Sequence, residues 1–153
     1  MKTDNDILLI DDDDADVELT LHVLRENKLV NRIQVLRDGE EALDYLFGPG
    51  RESRRAEGQL PKLILLDLKL PKVDGIEVLR RIKSDPETKL MPVVILTSSN
   101  EERDVIRGYD LGVNSYIRKP VDFNQFREMV RQVGLYWLLT NQPPPLPMQP
   151  AAL

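Results

Sequence analysis

Three short runs of the chain are apolar at every position, namely residues 7–10, 63–66 and 93–96. A strand that is apolar on both sides suits a parallel sheet whose two faces are covered by helices. These runs therefore predict buried parallel strands. Two weaker candidates, residues 32–36 and 115–117, complete a set of five predicted strands.

Helix-like segments separate these strands and follow the last of them. They cover residues 13–26, 39–47, 75–84, 101–109 and 122 to about 138. In the first segment, Val17, Leu21 and Leu24 fall on one face at spacings of four and three residues. Five repeats of strand then helix predict a doubly wound α/β fold that binds ligands at the carboxyl ends of its strands.

The length of 153 residues predicts a single domain over residues 1–140. Within it, residues 48–62 exceed the usual connection of about 4 to 6 residues, which predicts an inserted surface loop. Residues 141–153 are rich in proline and predict an extended tail.

Charge and apolar content exclude several classes of protein. The net charge of -5 argues against a nucleic-acid surface, which concentrates Lys and Arg. No apolar run approaches the roughly 20 residues that span a bilayer, the N-terminus lacks a signal-peptide pattern, and there is no cysteine. We therefore expect a cytoplasmic protein that binds neither nucleic acid nor membrane.

Polar side chains lie where the predicted strands end. Because the carboxyl ends of parallel strands meet at one edge of the sheet, we expect these side chains to converge. They are Asp11 and Asp12 after the first strand, Asp67 after the third, Thr97 and Ser98 after the fourth, and Arg118, Lys119 and Pro120 after the fifth.

This set of side chains fits phosphoryl chemistry at a magnesium ion. Asp12 and Asp67 can bind Mg²⁺ directly, and Asp11 can hold a metal-bound water. Asp67, on the central strand, is best placed to attack a phosphoryl group. Such an attack needs a metal, a hydrogen-bond donor and a cation, and Mg²⁺, the Thr97 hydroxyl and the Lys119 ammonium group fit those roles.

The motifs around these residues carry a family resemblance. They are LLIDD (8–12), LILLDLKLPKVDG (63–75), PVVILTSS (92–99) and SYIRKP (115–120), in this order along the chain. With them, the chain resembles a response-regulator receiver domain of two-component signalling. The resemblance implies a flavodoxin-like sheet of five parallel strands in the order 2-1-3-4-5, with five helices.

The resemblance also implies a role for individual residues. Asp67 would accept a phosphoryl group from a histidine kinase, while Asp11, Asp12, Asp67 and the backbone carbonyl of Lys69 organise Mg²⁺. Thr97 and Tyr116 would form a conformational switch. The peptide bond from Lys119 to Pro120 would be cis, which would aim the lysine at the site.

Three further stretches are similar to stand-alone regulators that are paired with bacterial phytochromes. They are ADVELTLHVLRE (15–26), FGPGRESRRAEGQLPK (47–62) and GLYWLLTNQPPP (134–145). We therefore expect a signalling protein rather than an enzyme, one that assists only its own phosphorylation and dephosphorylation. The apolar stretch 133–139 predicts a homodimer through the last helix and strand.

The remaining acidic and hydroxyl residues have less specific interpretations. Asp13, Asp14 and Asp16 fit the first turn of a helix, where carboxylates cap and interact with the helix dipole. Ser99 and Lys69 stand where the family tunes dephosphorylation.

Two alternative functions stay open. One is a receiver-like module that binds partners without phosphorylation, although no acceptor or metal residue is missing from the motifs. The other is a phosphatase with an aspartate nucleophile, which would need a second acid two residues after Asp67, where Lys69 stands.

Overall fold

The computed structural model describes residues 7–28, 32–50, 61–142 and 144. All ten predicted strands and helices are present in these residues, with bounds that differ from the predicted ones by one residue at most, except at the end of the last helix. In chain order they are β1 Ile7–Ile10, α1 Asp14–Glu26, β2 Ile33–Leu36, α2 Gly39–Phe47, β3 Leu63–Leu66, α3 Gly75–Ser84, β4 Val93–Thr97, α4 Glu102–Asp110, β5 Ser115–Arg118 and α5 Phe123–Gly134. A π-helix, Leu135–Thr140, continues α5.

The strands form one parallel sheet in the order β2-β1-β3-β4-β5, as predicted. Every residue of β1, β3 and β4 is buried. The edge strands β2 and β5 are mostly half-buried, which explains their weaker apolar pattern in the sequence.

Helices cover both faces of the sheet. Alternation along β1 illustrates the two layers, because successive side chains point to opposite faces. Leu8 and Ile10 pack in the core with residues of α2 and α3, whereas Ile7 and Leu9 pack with residues of α1 and α5.

Aspartate caps start four of the five helices. Asp13, Asp38, Asp74 and Asp122 each accept a hydrogen bond from the backbone N–H three residues later. The cap residue Asp13 lies two residues after Asp11, so α1 begins close to the end of β1.

The buried face of α1 differs in part from the predicted one. Val17 and Leu24 are buried as expected, but Thr20 and Val23 complete that face. Leu21 is only partly buried against the core.

Two predicted regions lie largely outside the described residues. They are the inserted loop, of which 51–60 are not described, and the tail, of which 143 and 145–153 are not described. Within the described residues, no helix combines the length and the apolar character that crossing a membrane requires.

Candidate functional site

The predicted site residues meet at the carboxyl edge of the sheet. Asp11 and Asp67 directly follow β1 and β3, Thr97 is the last residue of β4, and Lys119 directly follows β5. Backbone hydrogen bonds continue the sheet into this edge: the Asp67 N–H donates to the Ile10 carbonyl at 2.9 Å, and the Lys119 N–H donates to the Thr97 carbonyl at 2.7 Å.

The ammonium group of Lys119 lies among three carboxylates. Its Nζ is 2.9 Å from Asp11 Oδ2, 2.8 Å from Asp16 Oδ2 and 2.9 Å from Asp67 Oδ2. The Lys119 side chain is only 8% exposed. The site is therefore built around a buried cation that carboxylates surround.

Asp16 was missed as a site residue by the sequence interpretation, which placed it with the helix-start aspartates. Its backbone N–H does complete the Asp13 cap, at 3.0 Å, but its side chain bonds Lys119. A signal existed in the sequence: α1 starts so soon after β1 that its first turn must lie beside the strand end.

The other members of the aspartate run divide as predicted. Asp11 and Asp12 lie at the strand end, Asp13 caps α1, and Asp14 begins that helix and pairs with the Arg37 side chain in solvent. The chain's single histidine, His22, pairs with an exposed glutamate on α1.

Three carboxylates are arranged to hold a metal ion. Asp11, Asp12 and Asp67 each offer an oxygen, and these oxygens lie within 4.8 Å of one another. Asp11 and Asp67 are buried, whereas Asp12 is exposed, so the cluster is open on one side. All-oxygen ligands with room for water are what hard divalent cations prefer, so the residues fit the implied metal.

The Asp67 side chain is oriented from two directions. Its Oδ1 accepts the Lys69 N–H at 3.1 Å, and its Oδ2 accepts from Lys119. The backbone of Asp67 is packed tightly against Gly75 at the start of α3, where an added Cβ would lie 2.3 Å from the Asp67 carbonyl oxygen. The predicted ligand role of the Lys69 carbonyl stays a prediction.

Burial and the neighbouring charges act in opposite directions on the pKa of Asp11 and on the pKa of Lys119. Burial raises the pKa of Asp11 to about 6, although Lys119 and the Asp13 N–H partly offset the effect. For Lys119, burial favours the neutral amine. The hydrogen bond to Asp16 and the charges of Asp11 and Asp67 outweigh burial, and the pKa of Lys119 rises. The site therefore keeps its cation at any physiological pH.

Thr97 and Tyr116 are connected through Ser99. The Thr97 side chain is fully buried, and its Oγ1 accepts the Ser99 N–H at 3.4 Å. The Tyr116 hydroxyl donates to the Ser99 carbonyl at 3.2 Å. Its ring packs on α4 at Gly108, where a Cβ would lie 3.4 Å from Tyr116 Cδ2.

Ser99 also anchors the start of α4. Its hydroxyl donates to Asp104 Oδ2 at 2.5 Å and accepts the Glu101 N–H at 3.3 Å. Ser98, the other predicted hydroxyl, is exposed.

The predicted cis bond between Lys119 and Pro120 is wrong, because no peptide bond within the described residues is cis. The trans form is the default for X–Pro bonds, by about 0.5 to 1 kcal/mol. With the Lys119 amide fixed on Thr97, the long lysine side chain reaches all three carboxylates from a trans bond.

Comparison with known proteins identifies the family. The sequence model of the response regulator receiver domain family matches residues 7–131. The probable methanogenesis regulatory protein FilR2 of Methanothrix harundinacea is 42% identical over 141 residues, which are 90% of this chain and 86% of FilR2. Response regulator Rcp1 of Synechocystis is 42% identical over 134 residues, covering 88% of this chain and 89% of Rcp1.

Solved structures agree with the fold. The phosphorylated cyanobacterial phytochrome response regulator RcpA matches with a TM-score of 0.85 and 40% identity, over 94% of this chain and 100% of RcpA. The Mn²⁺-bound form of Rcp1 matches with a TM-score of 0.83 and 40% identity, over 92% of this chain and 99% of that one. The bacteriophytochrome response regulator RtBRR is 50% identical, with a TM-score of 0.69, over 95% of this chain and 86% of RtBRR. The protein is thus a member of the response regulator receiver domain family, whose function is signalling through an aspartate that becomes phosphorylated.

Proposed function

We propose that Asp67 is the phosphoacceptor of this receiver domain and takes its phosphoryl group from a histidine kinase in a Mg²⁺-dependent reaction. The observation that carries the proposal is the position of the buried Asp67 carboxylate. It lies 2.9 Å from the Lys119 ammonium group and within one cluster with Asp11 and Asp12.

The chemistry is a phosphoryl transfer from nitrogen to oxygen. A carboxylate oxygen of Asp67 forms a bond to phosphorus while the bond between phosphorus and the donor's imidazole nitrogen breaks. The electron pair of the broken bond stays on the imidazole, which leaves as neutral histidine because its other nitrogen carries a proton. The product is an acyl phosphate on Asp67.

The residues around Asp67 supply the groups that such a transfer needs. Mg²⁺ held by Asp11, Asp12, Asp67 and the Lys69 carbonyl would neutralise charge on the phosphoryl oxygens. Lys119 would donate to the same oxygens, and the Thr97 hydroxyl would be a further donor.

Phosphorylation would then act on the connection between Thr97 and Tyr116. A phosphoryl oxygen that accepts a hydrogen bond from Thr97 draws its side chain toward Asp67 and away from Ser99. Tyr116, which bonds the carbonyl of Ser99, responds to that movement and changes the surface formed by α4 and β5. A few kcal/mol of differential stabilisation shifts such an equilibrium.

The relatives suggest the pathway. RcpA is described as a cyanobacterial phytochrome response regulator and RtBRR as a bacteriophytochrome response regulator, and both match nearly all of this chain. We infer that the kinase is a phytochrome or a related sensor. FilR2, a probable methanogenesis regulator, is 42% identical to this chain, against 40% for RcpA, so sensors of other signals are the competing partners.

A homodimer through α5, its π-helix and β5 is part of the proposal. Three apolar side chains are substantially exposed there: Phe123 by 60%, Tyr136 by 50% and Leu139 by 68%. Apolar surface of this kind commonly marks an interface. Sedimentation should give a dimer for the wild type and a monomer for Leu139→Asp, and a monomeric wild type at high concentration would contradict the dimer.

The test of the pathway is phosphoryl transfer from a kinase. A purified bacterial phytochrome that has phosphorylated itself with labelled ATP is mixed with the wild type or with Asp67→Asn. Label should pass to the wild type only, and only with Mg²⁺. If label stays on the phytochrome while a phosphorylated kinase of another sensor class donates it, the phytochrome assignment is wrong and the receiver function stands.

A further inference from the structure

All three N–H donors of the Lys119 ammonium group are matched by carboxylates. A lysine ammonium has three donors, and Asp11, Asp16 and Asp67 each place one oxygen at 2.8–2.9 Å from Nζ. No donor is left for a fourth acceptor. A phosphoryl oxygen can therefore bond Lys119 only if one of these carboxylates gives up its place.

The three carboxylates differ in how easily they can be released. The Asp11 and Asp67 side chains are 3% and 7% exposed, so water could not replace the Lys119 contact of either, and its buried charge would depend on the metal alone. The Asp16 side chain is 28% exposed and would be rehydrated. Asp16 is therefore the contact that the site can exchange most easily.

We propose that Asp16 is a positioning residue that holds Lys119 while Asp67 is unphosphorylated and is displaced from it by the incoming phosphoryl group. Asp16 thus competes with the phosphoryl group for the same cation and lowers the affinity of the site for the phosphoryl group. This inference rests on the proposed function, because it concerns the cation that receives the phosphoryl oxygens.

The position of Asp16 makes the idea testable. Its backbone N–H, not its carboxylate, completes the α1 cap, and its carboxylate is outside the cluster of possible metal ligands. Asp16→Asn therefore keeps the shape of the helix start and the ligand set. Asp14 provides a matched control, since it lies in the same helical turn, carries the same charge and pairs with Arg37 instead.

The experiment measures how tightly the full chain binds fluoroberyllate (BeF₃⁻), an anion that mimics a phosphoryl group on a carboxylate, at saturating Mg²⁺ by fluorine NMR. Asp16→Asn should bind about 10-fold more tightly than the wild type, because a charge-assisted contact no longer competes. Asp14→Asn should stay within about 2-fold, as exposed charges contribute little. Asp16→Glu, which keeps the charge, should remain close to the wild type.

A second measurement reads the contact itself without metal or anion. The Lys119 ammonium protons, observed by nitrogen NMR, should exchange with water faster in Asp16→Asn than in the wild type and Asp14→Asn. Unchanged exchange, or equal fluoroberyllate affinity in both asparagine variants, overturns the inference and leaves the proposed function in place. A wild type that binds no fluoroberyllate overturns both.

Discussion

Two lysines at opposite ends of the sheet, the buried Lys119 and the half-buried Lys83, have opposite surroundings. At the carboxyl end, three carboxylates surround Lys119. At the amino end, Lys83 donates to three neutral oxygens, those of the Lys89 and Met91 carbonyls and of Asn114 Oδ1, at 2.9–3.2 Å. Burial lowers the pKa of Lys83, whereas the carboxylates raise that of Lys119.

The difference separates a lysine that stabilises the fold from a lysine that belongs to the proposed site. Lys83 satisfies carbonyl groups of the connection between α3 and β4, and Asn114 Oδ1 also accepts the Val93 N–H at 2.8 Å. This arrangement fixes the point at which β4 starts. Lys119 instead neutralises carboxylates that would repel one another, and it remains charged, as its proposed role toward phosphoryl oxygens requires.

The largest expected effect is loss of phosphorylation on removal of the Lys119 charge. Lys119→Met should slow phosphorylation of Asp67 by about 100-fold or more, since a donor to the transferring oxygens is gone. Lys83→Met should leave the rate within about 2-fold, because Lys83 lies at the other end of the sheet. The rates are followed by intact mass with a small phosphodonor, and equal losses in both variants would contradict the division.

A comparable effect should separate two neighbouring aspartates. Asp12→Asn should weaken Mg²⁺ binding by about 100-fold, because a direct carboxylate ligand is lost. Asp14→Asn, which removes the same charge from an exposed position outside the metal cluster, should change the Mg²⁺ affinity by less than about 2-fold. Calorimetric titration of both variants measures this, and similar affinities would refute the proposed metal ligands.

An intermediate effect concerns pH. The pKa of Asp11 in the folded protein is about 6, above the ordinary 3.8. Between these two values the folded chain holds a proton on Asp11 that the unfolded chain releases. The metal must displace this proton, and Mg²⁺ affinity should fall about 10-fold between pH 7 and pH 5. Without metal, the free energy of unfolding changes with pH in the opposite direction. The stabilising contribution of protonated Asp11 is present at low pH and is lost as pH rises through about 6. An affinity independent of pH across this range would contradict the burial of a titrating Asp11.

The smallest effect is on folding at the amino end. Lys83→Met should lower the free energy of unfolding by about 1 to 3 kcal/mol, because the part-buried Met91 carbonyl loses its ammonium donor. Urea denaturation measures the change, with exposed Lys89→Met as the control that should differ little. A Lys83 variant as stable as the wild type would mean that water replaces the ammonium group.

The sequence alone was enough to predict the site residues that lie at the carboxyl ends of the parallel strands. Asp11, Asp67 and Lys119 directly follow strands and Thr97 ends one, and parallel strands bring their carboxyl ends together. Asp13 could be assigned to the start of α1 because caps have a local signature.

The remaining features depend on tertiary contacts that have no local signature. The Asp16 side chain reaches Lys119 across 103 residues of sequence, and Lys83 reaches Asn114 across 31. The cis bond expected at Pro120 was carried over from the resemblance, while the chain meets the same contacts from a trans bond. The change to π-helix after Gly134 has no counterpart in the apolar pattern of that stretch.

The most direct test of the central claim is the intact mass of the protein after incubation with a small-molecule phosphodonor. The wild type and Asp67→Asn are compared with and without Mg²⁺. The account predicts one phosphoryl adduct on the wild type, dependent on Mg²⁺ and absent from the variant. An adduct that persists in Asp67→Asn, or one that forms equally without a divalent cation, would contradict it.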